Sequence, residues 1–151
     1  MSRFTLTYPG GADALITNCI VMPAVDFSKE EKVTAYYPTD NAVWDTGADT
    51  TIIRKSVAEA LHLKSIVKSA ISGIGGVVSS NIYRVHLGLP SGEALLDLEV
   101  MELPDEQIDY DVIIGMDVIR ECDFAITNKD GNTKFSYERP SKRDIDFLIE
   151  P

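Results

Sequence analysis

An apolar run ends in a short acidic turn at residues 42–49, Ala-Val-Trp-Asp-Thr-Gly-Ala-Asp. Each residue type in the turn has a chemical use. The Asp45 carboxylate could activate a water molecule, the Thr46 hydroxyl could tie the turn down, and Gly47 would let another backbone approach closely. The pattern therefore indicates a general acid–base site. An ordinary β-turn also favours Asp and Gly, so the segments downstream decide between the two interpretations.

Two glycine-containing segments follow the acidic turn along the chain. Residues 73–76, Gly-Ile-Gly-Gly, lie between strand-like runs at residues 64–68 and 82–87. This arrangement predicts a long hairpin with glycines at its tip. Residues 110–120 give a short buried strand, a glycine and the start of a helix. A phosphate-binding loop at residues 73–76 is disfavoured, because a strand-like run follows the glycines where a helix would be required.

With these three segments in this order, the chain resembles the retropepsin-like aspartic proteases, the single-lobe homodimeric relatives of retroviral and retrotransposon proteases. In that family an Asp-Thr/Ser-Gly-Ala loop, a glycine-rich flap and an Ile/Leu-Ile/Leu-Gly segment before a helix recur in this order. The resemblance covers roughly residues 33–137 and leaves both ends unassigned. The Gly-Met-Asp sequence at residues 115–117 is similar to the cellular and retrotransposon branch of the family.

The resemblance implies an aspartic endopeptidase that hydrolyses peptide bonds in extended, apolar segments of peptide or protein substrates. Asp45 would be the catalytic residue. The chain contains one Asp-Thr-Gly sequence and the reaction needs two carboxylates, so a homodimer would supply the second from its other subunit. No metal or organic cofactor is required. The rest of the active-site loop would be Thr46, Gly47 and Ala48.

The resemblance also implies residues that bind substrate and residues that support the site. Asp49 would meet the substrate main chain at the edge of the cleft. Met116 follows Gly115 where retroviral enzymes usually carry arginine, so Asp49 lacks its usual ion-pair partner, and Asp117 is expected to cap the helix. The flap residues over the substrate would be Gly73, Ile74, Gly75 and Gly76. The supporting residues would be Ile113, Ile114 and Gly115.

Short alternating or apolar runs separated by turn residues predict an all-β fold. By resemblance this is the retropepsin-like acid protease fold, a closed, barrel-like β lobe with a flap hairpin and one or two short helices. A length of 151 residues suits one domain, residues 1–151. A capping box at residues 56–59 predicts a short helix that ends near His62, and residues 38–41 are expected to form a turn.

Two further hairpins are predicted in the second half of the chain. Alternation within residues 83–101 places Leu96, Leu98 and Val100 on one face of a half-buried hairpin. Residues 124–137 contain two apolar runs around an Asp-Gly turn, which is a strong hairpin signal.

Composition and charge exclude several classes of partner. The formal net charge of −10 disfavours nonspecific binding to nucleic acid or anionic lipid. No apolar run approaches the roughly 20 residues of a membrane span, and the N-terminal residues lack the apolar core of a secretory signal. We therefore expect a soluble, cytoplasmic protein without nucleic-acid or membrane partners.

The remaining residues that could do chemistry give weaker signals. The acidic residues at 105–111 lack the spacing and glycine of a calcium-binding EF-hand loop, so no metal site is predicted. Cys19 and Cys122 are expected to be free, buried thiols, and His62 and His86 are expected on the surface.

An alternative of a different class is a catalytically silent retropepsin-fold module that dimerises or binds peptide. Such a module would be expected to lose residues of the catalytic loop. Residues 45–48 all match the family pattern, which favours an active enzyme.

Overall fold

The computed structural model describes residues 2–73 and 76–149. Within these residues the chain forms ten β-strands and two short α-helices, which confirms the all-β class. The strands are β1 Ser2–Tyr8, β2 Ile16–Pro23, β3 Tyr37–Trp44, β4 Ile52–Arg54, β5 Val67–Gly73, β6 Gly76–Gly88, β7 Ala94–Leu103, β8 Val112–Ile114, β9 Asp123–Thr127 and β10 Thr133–Arg139. The helices are α1 Lys55–Ala60 and α2 Met116–Ile119.

Six strands close into a barrel. They follow the order β2-β3-β8-β4-β7-β6, and β6 pairs again with β2 to complete the ring. Closure pairs the backbone groups that an open sheet would leave exposed at its edges. Strand β5 is antiparallel to β6 and extends from the ring as a hairpin. The barrel-like lobe that the family resemblance implies is therefore confirmed.

The strand β8 lies between β3 and β4 and sets the position of the acidic turn. It is parallel to β3, with Trp44 opposite Ile114, and antiparallel to β4, with Ile53 opposite Val112. Residues 45–51 connect β3 to β4, so they must pass the end of β8 that leads into α2. The acidic turn and the glycine that follows β8 are thereby brought to the same end of the barrel.

A separate three-stranded sheet, in the order β1-β10-β9, covers Trp44. Phe135 and Tyr137 lie two residues apart on β10 and so share one face. Their ring centroids are 5.3 Å and 5.5 Å from that of Trp44, and those of Phe4 and Phe124 are 5.9 Å and 6.1 Å away. These aromatic contacts fix the residue that immediately precedes Asp45.

The predicted turn at residues 38–41 is wrong, because these residues belong to β3. Pro38 pairs with Ile20 of β2. The strand β8 pairs only with residues 42–44 of β3, so among the described residues Pro38 has a paired strand on one side alone. Proline has no backbone N–H to donate to a neighbouring strand, so it is tolerated at a position that is paired on one side only.

A bulge in β7 changes the predicted faces of the β6–β7 hairpin. The register shifts between Val85 and Leu87 of β6, where β7 contributes one extra residue, and Asp97 adopts a φ of 55° there. One extra residue turns the side chains beyond it to the opposite face. Leu95 is therefore buried and Leu96 is 55% exposed, so the predicted common face of Leu96 with Val100 is wrong.

His86 is buried and not on the surface, because residues 25–27 cover its ring. Only 1% of its area is exposed. Its Nε2 lies 3.1 Å from the amide nitrogen of Val25, its Nδ1 lies 3.1 Å from that of Asp97, and its ring stacks on Phe27 with a centroid distance of 5.3 Å. Alternation places His86 on the face opposite Val85 and Leu87, and it could not predict that residues 25–27 cover that face.

Helix α1 is confirmed, but its predicted cap is wrong. The residue before the helix is Arg54, and no side chain at that position caps the helix. The amide of Ser56 instead donates to Asp105 Oδ1 at 3.0 Å, so a distant carboxylate satisfies the free N–H at the start of the helix.

The segment after β10 is attached at its start and exposed farther on. The Asp123 carboxylate accepts hydrogen bonds from Ser141 Oγ and from the amides of Lys142 and Arg143. The side chains at residues 147–149 are more than three-quarters exposed. None of the helices in the described part of the chain has the length and apolar character that crossing a membrane requires.

Candidate active site

Asp45 is the first residue after β3, and its carboxylate is oriented by its own loop. Its amide donates to the Ile114 carbonyl at 2.9 Å, which ties the start of the loop to β8. The amide of Gly47 donates to Asp45 Oδ1 at 2.8 Å and forms an Asx-type turn. The side chain is exposed at this end of the barrel. The structure thus presents an exposed carboxylate that the turn contact orients through Oδ1.

The rest of the predicted loop lies around Asp45. Thr46, Gly47 and Asp49 are exposed, and Ala48 is half-buried. The amide of Ala48 donates to the Asp45 carbonyl at 3.2 Å, so residues 45–48 form one compact turn. The side chains of Thr46 and Asp49 make no hydrogen bond to any residue that the structure describes.

The loop carbonyls cap helix α2. The amide of Met116 donates to the Ala48 carbonyl at 2.7 Å, and the amide of Asp117 donates to the Asp49 carbonyl at 3.2 Å. Amides in the first turn of a helix have no partner within the helix. Here the acidic loop supplies those partners, so the loop and the helix hold each other in place.

Gly115 lies where the loop and α2 approach most closely. A Cβ atom at this position would lie 2.7 Å from the Ala48 carbonyl oxygen and 2.9 Å from the carbonyl group of Thr50. Only glycine leaves room for this approach. Of the other two predicted supporting residues, Ile114 is fully buried and Ile113 is half-buried, next to β3 and β4.

Asp117 and Thr51 form a hydrogen-bond network that sequence reasoning missed. Asp117 Oδ1 accepts from Thr51 Oγ1 at 2.7 Å and from the amide of Val118 at 3.0 Å. Its Oδ2 accepts from the amide of Thr51 at 3.0 Å. Asp117 was expected only to cap the helix, whose N-cap position is in fact Gly115. No local pattern marks the pair, since the two residues are 66 positions apart.

The predicted hairpin tip is confirmed in its flanking residues. Gly73 ends β5, Gly76 begins β6, and the two glycines are paired in the antiparallel register. Ile74 and Gly75 lie outside the described residues.

The opposite ends of β3 and β4 are joined by a second polar group centred on Asp111. Thr39 Oγ1 donates to Asp111 Oδ2 at 2.6 Å, and Arg54 Nη1 lies 3.7 Å from Asp111 Oδ1. Burial, together with the negative charge of Asp111, raises the pKa of the Cys19 thiol to about 12. Both strands that bear the acidic loop are therefore fixed at both ends.

Among residues 2–73 and 76–149, no group of three or more His, Cys, Asp or Glu side chains is placed to hold a metal ion.

Comparison with known proteins assigns the chain to a family. The sequence model of the family described as "Aspartyl protease" matches residues 37–118, from β3 to α2. No curated protein sequence matches the chain. A solved structure of a retropepsin-like aspartic protease from Rickettsia conorii matches with a TM-score of 0.52 over 89% of this chain and 92% of that chain. The two sequences are 13% identical, so this likeness shows the retropepsin-like fold. Because the family match spans more than half of the chain and contains the Asp45 loop, the protein belongs to the aspartyl protease family.

Proposed function

We propose that this protein is an aspartic endopeptidase whose active site forms when the Asp45 loops of two subunits meet in a homodimer. The observation that carries the proposal is the Asp45 loop itself. Its carboxylate is exposed and oriented by the amide of Gly47, and its backbone is tied to β8 and α2. Membership of the aspartyl protease family supports the same chemistry.

The proposed mechanism follows from bringing two like charges together. Two carboxylates brought a few ångströms apart repel each other when both are charged, so the proposed pair of Asp45 side chains holds one shared proton. The ionised carboxylate acts as the base and takes a proton from a bridging water molecule. The water attacks the peptide carbonyl, and the protonated carboxyl group donates its proton to the developing oxyanion.

The remaining loop residues have proposed roles that agree with their exposure. The Thr46 hydroxyl has no partner among the described residues and would hydrogen-bond across the twofold axis. Gly47 would offer its carbonyl to the substrate backbone, and Asp49 would meet the substrate at the edge of the cleft. An extended peptide would add as a strand between this floor and the hairpin tip, with alternate apolar side chains in pockets.

The β5–β6 hairpin is the proposed flap. Its tip would close over the bound peptide and exclude water, and its glycines would allow backbone amides to approach the substrate. The flap residues in this proposal are Gly73, Ile74, Gly75 and Gly76.

Cleavage of a mixed peptide library at high protein concentration, from acidic to neutral pH, tests the proposal. Wild-type protein is compared with Asp45→Asn and with Asp40→Asn, which makes the same chemical change at an exposed position on β3, the strand before Asp45. Peptide bonds that are cut by wild type and Asp40→Asn, and not by Asp45→Asn, identify an aspartic protease and its preferred sequences. If all three proteins leave the library intact although sedimentation shows a dimer, the silent peptide-binding module becomes the better description.

Mixed dimers test whether two subunits share one site. Wild type is mixed with an equal amount of Asp45→Asn and allowed to exchange subunits. A shared dyad predicts that activity per wild-type subunit falls to about half, because half of the wild-type subunits then sit in mixed dimers. A mixture with Asp40→Asn should lose nothing. Equal activities in the two mixtures would show that one chain is sufficient.

A further inference from the structure

Thr51 and Asp117 join the end of the Asp45 loop to helix α2. We infer that this pair, which we call the Asp117–Thr51 lock, positions the Asp45 loop for catalysis. The inference rests on the proposed protease function. Asp117 is a positioning residue in this proposal, since its carboxylate contacts Thr51 and α2 and reaches neither substrate nor the reacting atoms.

The hydrogen-bond directions in the lock follow from its donors. Thr51 is fully buried, and its Oγ1 accepts from the amide of Gly115 at 3.2 Å. The hydroxyl hydrogen is therefore free to point at Asp117 Oδ1, 2.7 Å away. The amides of Thr51 and Val118 also donate to the same carboxylate, each at 3.0 Å. Three donors converge on two oxygens, which suits a carboxylate and not an amide side chain.

The lock acts on Asp45 through a short stretch of backbone. Backbone hydrogen bonds join this stretch to β8 at Asp45 and to α2 at Ala48 and Asp49. The lock adds the side-chain bonds at Thr51, where the loop ends. Without it, the loop can slide along α2 and carry the Asp45 carboxylate with it. A displacement of about 1 Å in a catalytic group can cost on the order of a hundredfold in rate.

Matched variants separate this role from general stability. Asp117→Asn keeps the shape of the side chain but turns an NH₂ group toward a donor. Thr51→Val replaces the hydroxyl by a methyl group and so removes its contacts with Asp117 and with the Gly115 amide. Thr51→Ser retains the hydroxyl and serves as the conservative rescue. Asp123→Asn is the control, because Asp123 also accepts three hydrogen bonds, but from residues 141–143 after β10.

Steady-state kinetics on a peptide cleaved by wild type gives the first readout. We expect kcat to fall at least about tenfold in Asp117→Asn and in Thr51→Val, while KM changes less than about threefold, since the lost interaction orients the carboxylate and does not bind substrate. Thr51→Ser and Asp123→Asn should keep kcat within about threefold of wild type. The double variant should be no worse than either single one, because both remove the same lock.

Hydrogen exchange of backbone amides gives a second readout that does not need activity. In Asp117→Asn and Thr51→Val, the amides of residues 45–51 and 114–118 should exchange faster, while those of β6 and β7 near the bulge should not change. Unchanged exchange in the loop overturns the lock, as does a tenfold loss of kcat in the Asp123→Asn control. If Asp117→Asn does not fold, Thr51→Val carries the same comparison. A wild-type protein without any activity would refute the proposed function, while the exchange data would still decide the lock.

Discussion

The most constrained single residue at the candidate site is Gly115. Its missing side chain lets the Ala48 carbonyl lie where a Cβ would be 2.7 Å from it. Because carbonyl groups of the loop are backbone atoms, they cannot turn aside as a flexible side chain could. The close contact between loop and helix therefore depends on the absence of one methyl group.

Gly115→Ala should lower the free energy of unfolding by about 3 kcal/mol, because the new methyl group forces the loop away from α2. Urea denaturation measures the change. Gly88→Ala is the matched control, since a Cβ there would lie no closer than 3.4 Å to any atom, which is ordinary contact. Equal losses in the two variants would argue against a special fit at Gly115.

Buried thiols should make the protein less stable at high pH. Burial raises the pKa of Cys19 from 9.0 to about 12, with Asp111 adding to the effect. The unfolded chain therefore loses this proton near pH 9 while the folded chain keeps it, so the free energy of unfolding falls as pH rises from about 9 to about 12. Urea denaturation at several pH values measures the slope. Cys19→Ala should have a shallower slope, and identical slopes would contradict the assignment.

At the residue scale, the sequence predicts what lies within one continuous segment. Asp45 and Gly115 stand in short patterns whose order along the chain indicates the family. The Thr51–Asp117 contact joins positions 66 residues apart, so only the pairing of β8 with β3 and β4 brings the two side chains together. His86 was misplaced for a related reason, since Val25, one of the residues that cover it, lies 61 positions earlier in the chain.

At the scale of elements, the existence of strands and helices was predictable and their details were not. Alternation and turn residues predicted both hairpins of the second half and helix α1, and these are confirmed. The predicted turn at residues 38–41 was wrong because proline interrupts a strand only where both neighbouring strands need its N–H. Pro38 is paired on one side alone among the described residues, so it can remain within β3. The predicted cap of α1 was wrong because the Ser56 amide donates to Asp105, which is distant in sequence, and no side chain at the N-cap position Arg54 caps the helix.

The start of α1 offers a direct comparison of the two possible caps. Asp105→Ala should lower the free energy of unfolding by about 1 kcal/mol, because it removes the carboxylate that accepts from the Ser56 amide and faces the positive end of the helix. Ser56→Ala should change it by less than about 0.5 kcal/mol. Thermal or urea denaturation of both variants measures the difference, and the reverse order would restore the capping box predicted from sequence.

At the scale of the whole molecule, association of two subunits must overcome the electrostatic repulsion between them. Each subunit carries a formal net charge of −10, so two subunits repel each other at low ionic strength. The proposed dimer therefore depends on short-range contacts around the Asp45 loops, and the long-range field opposes it.

Salt should consequently strengthen the proposed dimer. Raising sodium chloride from about 0.02 M to about 0.3 M shortens the screening length several-fold, and the Kd for dimerisation should fall several-fold with it. Sedimentation equilibrium measures the Kd, and specific activity at low protein concentration should rise in parallel. Replacing the exposed Asp144 and Asp146 by asparagine should reproduce part of the effect at low salt. A dimer that loosens in salt would instead indicate attractive ion pairs across the interface.

The order of strands in the three-stranded sheet has a consequence for synthesis on the ribosome. Strand β10 is the middle strand, so β1 and β9 gain their sheet partner only when residues 133–139 have been made. Until then the apolar ring of Trp44 lacks its contacts with Phe135 and Tyr137. The pairing of β1 with β10 joins the two ends of the fold, and pairings between residues so far apart in sequence form slowly. A nascent chain therefore exposes the aromatic face of β3, the strand that precedes Asp45, until the sheet closes, and exposed apolar surface of this kind makes a folding chain prone to aggregate.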